Sequence, residues 1–174
     1  MTKIVLTGYM GCGKTTVGKL VANRLNLPFI DLDDCLAEHE KKTVSDIFSS
    51  KGEIYFRKLE HAIFEKLLTN KQSFVLSLGG GTPCYANNHL LLQLDACHSF
   101  YLQTKVSDLV DRLSRKKNTR PLIAKLTDGE LPSFVGQHVL ERNYYYRFAK
   151  KIIDTTGLSA NQIADNIIDL TQQN

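Results

Sequence analysis

The chain has 174 residues, of which 43% are hydrophobic and 23% are charged, and its formal net charge is +4. This profile is typical of one globular domain and excludes disordered and fibrous proteins. So small a charge does not indicate nucleic-acid binding, and no apolar run approaches the roughly 20 residues of a membrane helix. The first residues lack the regions of a signal peptide, so we expect a cytoplasmic protein that binds no membrane.

Strand and helix signals alternate along the whole chain. Apolar runs predict strands at 3–7, 28–32, 74–78, 98–102 and 151–154. Helical spacing of apolar residues predicts helices over about 17–25, 53–69, 86–94, 106–116, 132–148 and 160–170. Strands separated by helices indicate a three-layer α/β/α fold with a five-stranded parallel sheet. Ligands of such sheets bind beyond the carboxyl ends of the strands.

The segment after the first strand, residues 8–15, has the P-loop pattern G-x-x-x-x-G-K-T. Its glycines allow the backbone to wrap around phosphate oxygens, and amides at a helix N-terminus supply partial positive charge. Lys14 is placed to reach the β- and γ-phosphates, and the Thr15 hydroxyl to bind Mg²⁺. The motif therefore predicts an enzyme that uses a nucleoside triphosphate and depends on magnesium. Cys12 lies beside Lys14, where a cation and a helix N-terminus favour a thiolate.

Two further motifs follow the second and third strands. Alternation along an extended strand would place Asp31 and Asp33 on one side, facing the ligand crevice. Carboxylates there could accept the proton of a hydroxyl nucleophile or support Mg²⁺, and the alternative is helix capping, with Asp34 as a candidate cap. Three successive glycines, Gly79 to Gly81, predict that another group approaches the backbone closely.

Basic side chains form the remaining candidates. Arg57 and Glu60 are i, i+3 neighbours, so Glu60 can hold Arg57, unless the two form a surface ion pair of little value. Five cations from Arg112 to Arg120 lead into a polar stretch, which is either a solvated helix end or a mobile lid that brings an arginine over the γ-phosphate. Arg142 opens an aromatic and basic segment whose helical spacing favours core packing plus a ligand site over nucleic-acid stacking. The five histidines have no metal or catalytic spacing, so we expect surface or packing positions for them.

These motifs, in this order, resemble the shikimate kinase family. The resemblance covers nearly the whole chain and is carried by the P-loop through Gly18, Asp31-x-Asp33, Ile47-Phe48, Gly52-Glu53, Phe56-Arg57-x-x-Glu60, Leu78 to Gly81, Arg120-Pro121-Leu122 and Arg142. It implies a single P-loop kinase domain over residues 1–174. The core of this domain would be 1–32, 71–112 and 149–174, with a substrate-binding region at about 33–62 and a mobile lid at about 113–131.

The resemblance also implies an activity and a role for each site residue. The enzyme would transfer the γ-phosphoryl group of ATP to the 3-hydroxyl of shikimate in chorismate biosynthesis, with Lys14, Asp33 and Arg120 as catalytic residues. The nucleotide would be bound by Gly11, Cys12, Gly13, Lys14, Thr15, Thr16, Arg112 and Arg120, and Mg²⁺ by Thr15 and Asp31. Shikimate would be bound by Asp33, Arg57, Gly79, Gly80, Gly81 and Arg142. We expect a monomer whose partners are shikimate and ATP.

Two positions depart from the family pattern. Cys12 replaces the usual alanine or serine, and Tyr144 stands where relatives often carry proline after the substrate arginine. The residues alone also leave two other functions possible. A kinase of another acceptor, such as gluconate or a nucleoside monophosphate, should lack the Phe-Arg-x-x-Glu motif and the triple glycine. A non-catalytic nucleotide-binding switch would not need two substrate arginines and a lid.

Overall fold

A computed structural model of the protein describes residues 1–117 and 122–173. Its strands are β1 (Lys3–Thr7), β2 (Phe29–Asp31), β3 (Phe74–Ser77), β4 (His98–Gln103) and β5 (Lys151–Asp154). They form a five-stranded sheet of order β2-β3-β1-β4-β5 in which every neighbouring pair is parallel. The predicted parallel sheet is therefore confirmed, and the P-loop follows its central strand.

The helices of the described ranges are α1 (Lys14–Leu25), α2 (Leu32–Glu40), α3 (Val44–Thr69), α4 (Asn88–Leu91), α5 (Val106–Ser114), α6 (Glu130–Tyr146) and α7 (Ala160–Gln172). A short 3₁₀ turn, Thr82–Cys84, follows the triple glycine. None of these helices is long and apolar enough to cross a membrane.

The segment that joins β2 to the middle of α3 differs from the prediction. The structure has a helix, α2, where none was predicted, and α3 begins at Val44 instead of near residue 53. The side chain of Asp31 caps α2 by accepting the Asp33 amide over 3.1 Å, and Thr43 caps α3 through the Asp46 amide, also at 3.1 Å. Gly52, with φ 79° and ψ 169°, kinks α3 and so interrupts the apolar periodicity there.

The core lies on both faces of the sheet because alternate residues of a strand point to opposite sides. Ile4 and Leu6 of β1 pack in one cluster with α1, α5, α6 and α7, whereas Val5 packs in a second cluster with α2 and α3. Both faces are thus covered by helices. The carboxyl ends of β1, β2 and β3 lie next to each other at one edge of this sandwich.

Candidate active site

A cleft of about 690 Å³ opens where β1, β2 and β3 end. It brings together most of the predicted site residues, namely Gly11, Cys12, Gly13, Lys14, Thr15, Thr16, Asp31, Asp33, Gly79, Gly80 and Arg112. Residues that are far apart in the sequence therefore meet at the edge of the sheet where ligands of parallel α/β folds bind.

The P-loop forms the floor of this cleft and ends in helix α1. Gly13 precedes α1 with φ 103° and carries no side chain that could cap the helix. The amides of Lys14, Thr15 and Thr16 lie in the first turn, where an α-helix provides no internal acceptor. Such amides, together with the helix dipole, form an anion-binding site.

Lys14 is held over this loop by main-chain oxygens. Its side chain is buried, and Nζ donates hydrogen bonds to the carbonyls of Gly8 at 2.8 Å and Tyr9 at 3.2 Å. The Cys12 sulfur lies 3.7 Å from the same nitrogen, but Cys12 is 1% exposed. A redox-sensitive thiol must be accessible to solvent. The burial of Cys12 therefore does not support the thiol reactivity that its position beside Lys14 suggested.

Asp31 joins the P-loop helix to the end of β2. The Thr15 hydroxyl donates to Asp31 Oδ2 over 3.3 Å, while Asp31 Oδ1 accepts the amide of Asp33. Asp31 and Asp33 both line the cleft, as predicted, but strand alternation is not the reason, because Asp33 lies in the first turn of α2. The cap of this helix is Asp31 and not Asp34.

The oxygens of Thr15 and Asp31 fit a magnesium ion beside the phosphate site. Mg²⁺ prefers hard oxygen ligands and commonly keeps waters while it binds one or two carboxylates and the phosphates of a substrate. In the described parts of the chain, no three His, Cys, Asp or Glu side chains are grouped closely enough to hold a metal. The protein therefore offers part of a coordination shell, and nucleotide and water would complete it.

Asp33 lies in the cleft with an unusual proton affinity. Burial, and then the negative charges of Asp31 and Glu60, raise the pKa of its carboxyl group to about 6 against the opposing effect of Lys14. A carboxylate with a pKa close to neutrality can accept a proton from a hydroxyl group and later release it.

The triple glycine is packed against three different parts of the site. A Cβ atom would lie 2.9 Å from Thr82 Oγ1 at Gly79, 3.3 Å from the Met10 amide nitrogen at Gly80, and 3.1 Å from Arg57 Nη2 at Gly81. These distances are tighter than ordinary van der Waals contact. The predicted close approach to this backbone is therefore confirmed. Glycine is needed at these positions because a side chain would collide with its neighbours.

Arg57 is fixed by a buried carboxylate. Its Nη1 donates to Glu60 Oε2 over 2.9 Å, and Glu60 is 1% exposed, so the pair is not a surface ion pair. Glu60 Oε1 also accepts the hydroxyl of Thr82 at 2.6 Å, and the ring of Tyr85 lies 3.9 Å from Arg57 Cζ. Sequence reasoning missed Thr82 and Tyr85, since no local pattern indicates that the turn after the triple glycine returns to α3.

Arg142 approaches the same glycines from α6. Its Nη1 donates to the carbonyl of Gly80 over 3.5 Å, and the Tyr146 hydroxyl donates to that carbonyl over 2.5 Å. Tyr144 is 63% exposed, and α6 continues without a break through it. The departure from proline at this position therefore leaves the helix that carries Arg142 intact.

The outer part of the cleft lies between α5 and α7. Arg112 Nη1 donates to the carbonyls of Gly11 at 3.3 Å and Cys12 at 3.5 Å. Side chains that follow β5 line the same space: Leu158, Ala160 and Ile163. The sequence predicts a ligand site in the loop after Asp154, at the carboxyl end of β5, but it does not single out these residues. Arg120, the predicted lid arginine, lies outside the described residues.

Comparisons with known proteins identify the family of this chain. The profile of the shikimate kinase family matches residues 10–172. Shikimate kinase of Flavobacterium psychrophilum is 50% identical over 167 residues, which cover 96% of this chain and 97% of that protein. The crystal structure of shikimate kinase from Bacteroides thetaiotaomicron gives a TM-score of 0.87 at 34% identity, covering 99% of this chain and 97% of the other. Shikimate kinase from Acinetobacter baumannii, in complex with shikimate, gives 0.85 at 32% identity, covering 99% and 94%. The chain belongs to the shikimate kinase family, as its motifs predicted.

Proposed function

We propose that this protein transfers the γ-phosphoryl group of ATP to the 3-hydroxyl of shikimate, giving shikimate 3-phosphate and ADP. The observation that carries the proposal is the contact between the triple glycine and the P-loop, where a Cβ on Gly80 would lie 3.3 Å from the Met10 amide nitrogen. The contact brings the P-loop beside glycines that Arg57 and Arg142 approach from the other side, at Gly81 and Gly80 respectively. Membership of the family, and the relative in complex with shikimate, support this acceptor.

In the nucleotide half, the first-turn amides of α1 and the Lys14 ammonium group would bind the β- and γ-phosphates. Arg112 lies against the P-loop, and Leu158 and Ile163 face the same space. This arrangement supports a base site in which the guanidinium group stacks on adenine. Thr15 and Asp31 would hold Mg²⁺, which when bound neutralises charge on the phosphates.

In the acceptor half, Arg57 and Arg142 would bind the shikimate carboxylate through forked hydrogen bonds. Asp33 would accept a hydrogen bond from the 3-hydroxyl and so orient its oxygen towards the γ-phosphorus. When the oxygen–phosphorus bond forms, the bond from the γ-phosphorus to the bridging oxygen breaks, and the hydroxyl proton passes to Asp33. Most of the rate enhancement would come from positioning and from the positive charge of Lys14.

Three finer features remain proposals. The predicted lid over about 113–131 would close over the phosphates and add the charge of Arg120. The chain would act as one kinase domain, with a substrate-binding region at about 33–62. It would also act as a monomer, which sedimentation equilibrium with and without both substrates can test.

A coupled assay of ADP release tests the proposed activity. With Mg²⁺ and ATP present, shikimate should stimulate ADP release far more than gluconate or a nucleoside monophosphate does, and mass spectrometry should identify shikimate 3-phosphate. Equal stimulation by gluconate would assign the chain to another acceptor. ATP binding without stimulation by any acceptor would instead indicate a nucleotide-binding switch.

A further inference from the structure

Arg142 is less firmly held by polar partners than Arg57. Its polar partners are the Gly80 carbonyl, at 3.5 Å, and the Tyr146 hydroxyl, both neutral, and within residues 1–117 and 122–173 no carboxylate lies at ion-pair distance from it. Arg57, in contrast, donates to the buried Glu60 at 2.9 Å. A guanidinium group that binds a carboxylate in a forked geometry must be well oriented, so Arg142 needs restraints of another kind.

Tyr9, the second residue of the P-loop, contacts two successive turns of α6. Its ring centroid lies 5.7 Å from Arg142 Cζ, and its hydroxyl lies 3.2 Å from Nδ1 of His138. Tyr9 is 2% exposed, so both contacts are made inside the protein. His138 in turn packs against Phe134 with ring centroids 4.5 Å apart, which restrains the imidazole ring.

We propose that Tyr9 and His138 are positioning residues that orient Arg142 for the shikimate carboxylate. The hydrogen bond between hydroxyl and imidazole fixes the plane of the Tyr9 ring, and the face of that ring attracts the guanidinium group. Burial and the charge of Arg142 lower the pKa of His138, so the neutral imidazole does not repel Arg142. This inference rests on the proposed role of Arg142 in binding shikimate.

The same tyrosine also connects this pair with the nucleotide half of the site. The Tyr9 carbonyl accepts a hydrogen bond from Lys14 Nζ over 3.2 Å, while its side chain faces α6. Because the two contacts use different atoms of Tyr9, removing the hydroxyl group leaves the contact with Lys14 in place. Variants of the hydroxyl should therefore affect shikimate and spare ATP.

Steady-state kinetics of three variants tests the inference. Tyr9→Phe keeps the ring and removes the hydroxyl, and His138→Leu removes the imidazole nitrogen. Each should raise the KM for shikimate roughly three- to tenfold, the effect of one hydrogen bond, and change the KM for ATP by less than about twofold. His138→Asn places a polar atom near the position of Nδ1 and should restore most of the lost affinity. The Tyr9→Phe/His138→Leu double variant should be no worse than either single variant, because both changes remove the same bond.

Tyr101→Phe is the matched control, since it removes another tyrosine hydroxyl that binds α6, at Asn143 Oδ1 over 3.2 Å. Its KM for shikimate should not change. An equal rise in Tyr101→Phe would show that the anchoring of α6 matters in general and would overturn the inference. Additive effects in the double variant, or an unchanged KM in Tyr9→Phe, would also overturn it.

Arg142→Ala separates this inference from the proposed function. If that variant binds shikimate normally, the proposed role of Arg142 is wrong. If Arg142→Ala raises the KM for shikimate while Tyr9→Phe and His138→Leu do not, the role of Arg142 stands and the positioning role of the pair is wrong.

Discussion

Glu60 accepts a 2.9 Å hydrogen bond from Arg57 Nη1 while its other carboxylate oxygen accepts the hydroxyl of Thr82. A carboxylate that is 1% exposed and has two partners holds the guanidinium group in one orientation before any ligand binds. Binding to a group that is already oriented costs less side-chain entropy. Glu60 therefore supports the orientation of Arg57, a residue of the proposed shikimate pocket.

Glu60→Gln tests this support. The change keeps the size of the side chain but removes the charge beside Arg57, so we expect the KM for shikimate to rise about tenfold. The free energy of unfolding should fall by about 2 kcal/mol, because Arg57 is partly buried and loses its counter-charge. Both are measurable, by steady-state kinetics and by urea unfolding.

Glu53→Gln is the control for Glu60→Gln. Glu53 lies 3.5 Å from Arg57 Nε and is 54% exposed, so its loss should have little effect on either quantity. Equal effects of the two variants would contradict the role given to Glu60.

Alanine substitutions in the triple glycine should separate the two halves of the site. In Gly81→Ala the new methyl group would lie 3.1 Å from Arg57 Nη2, so we expect a KM for shikimate about tenfold higher and an almost unchanged KM for ATP. In Gly80→Ala the methyl group would press on the P-loop backbone at Met10, and both KM values should rise. Gly136→Ala, where the nearest atom to the new Cβ is Val106 Cγ1 at 3.9 Å, is the control. If Gly81→Ala raises the KM for ATP and leaves the KM for shikimate unchanged, Arg57 does not belong to the shikimate half of the site.

Activity should depend on the protonation of Asp33. Since its pKa is about 6, kcat/KM for shikimate should fall about tenfold per pH unit as the pH drops below that value. Asp33→Asn should lose nearly all turnover at every pH, whereas Asp34→Asn, a change of an exposed neighbour, should keep the wild-type profile. An acid limb that persists in a residually active Asp33→Asn enzyme would assign the titration to another group.

The same pKa makes a separate prediction about stability. The folded protein holds a proton on Asp33 up to a pH of about 6, whereas the unfolded chain releases it near 3.8, so unfolding becomes easier as the pH rises between these values. Above a pH of about 6 the full cost of the buried charge is present. Asp33→Asn should then be more stable than wild type by roughly 3 kcal/mol, and the gain should shrink towards a pH of about 4. Urea unfolding of both proteins across this range measures the gain, and a gain that is independent of pH would refute the buried charge as its cause.

Lys14→Ala should abolish turnover in a folded protein. We expect kcat to fall at least about a thousandfold, since in the proposed reaction the ammonium group stabilises charge that develops on the phosphates. The carbonyls of Gly8 and Tyr9 lose a donor, which should lower the free energy of unfolding by only about 1–2 kcal/mol. Circular dichroism checks the fold. Lys19→Ala, an exposed lysine of the same helix, should retain wild-type activity.

Local patterns predicted the sheet, the P-loop and the need for space at the triple glycine. Each of these depends on residues that are neighbours in the sequence, such as an apolar run or three successive glycines. Helix α2 was missed because Asp31 was read as a ligand at the end of a strand, when it both caps a helix and binds Thr15. An aspartate with both functions gives a sequence pattern that fits a ligand at the end of a strand as well as a helix cap.

The other missed features depend on contacts between distant segments. Thr82 meets Glu60 and Tyr9 meets His138, in each case through the packing of whole elements. No periodicity in the sequence records such pairs. The sequence predicts surface or packing positions for the histidines; His138 packs against Phe134, and its Nδ1 also lies 3.2 Å from the Tyr9 hydroxyl.

The contact of Gly80 with Met10 joins two main chains, so it does not depend on the rotamer of any side chain. With the two substrates bound as proposed, the gap between phosphoryl donor and acceptor would be set by the backbone in every variant that keeps these glycines. A bisubstrate inhibitor, one molecule that spans the ATP and shikimate pockets, could be built to this gap. Resistance substitutions among the side chains of one pocket would weaken the binding of one end of the inhibitor. They would not change the distance that the linker of the inhibitor must span.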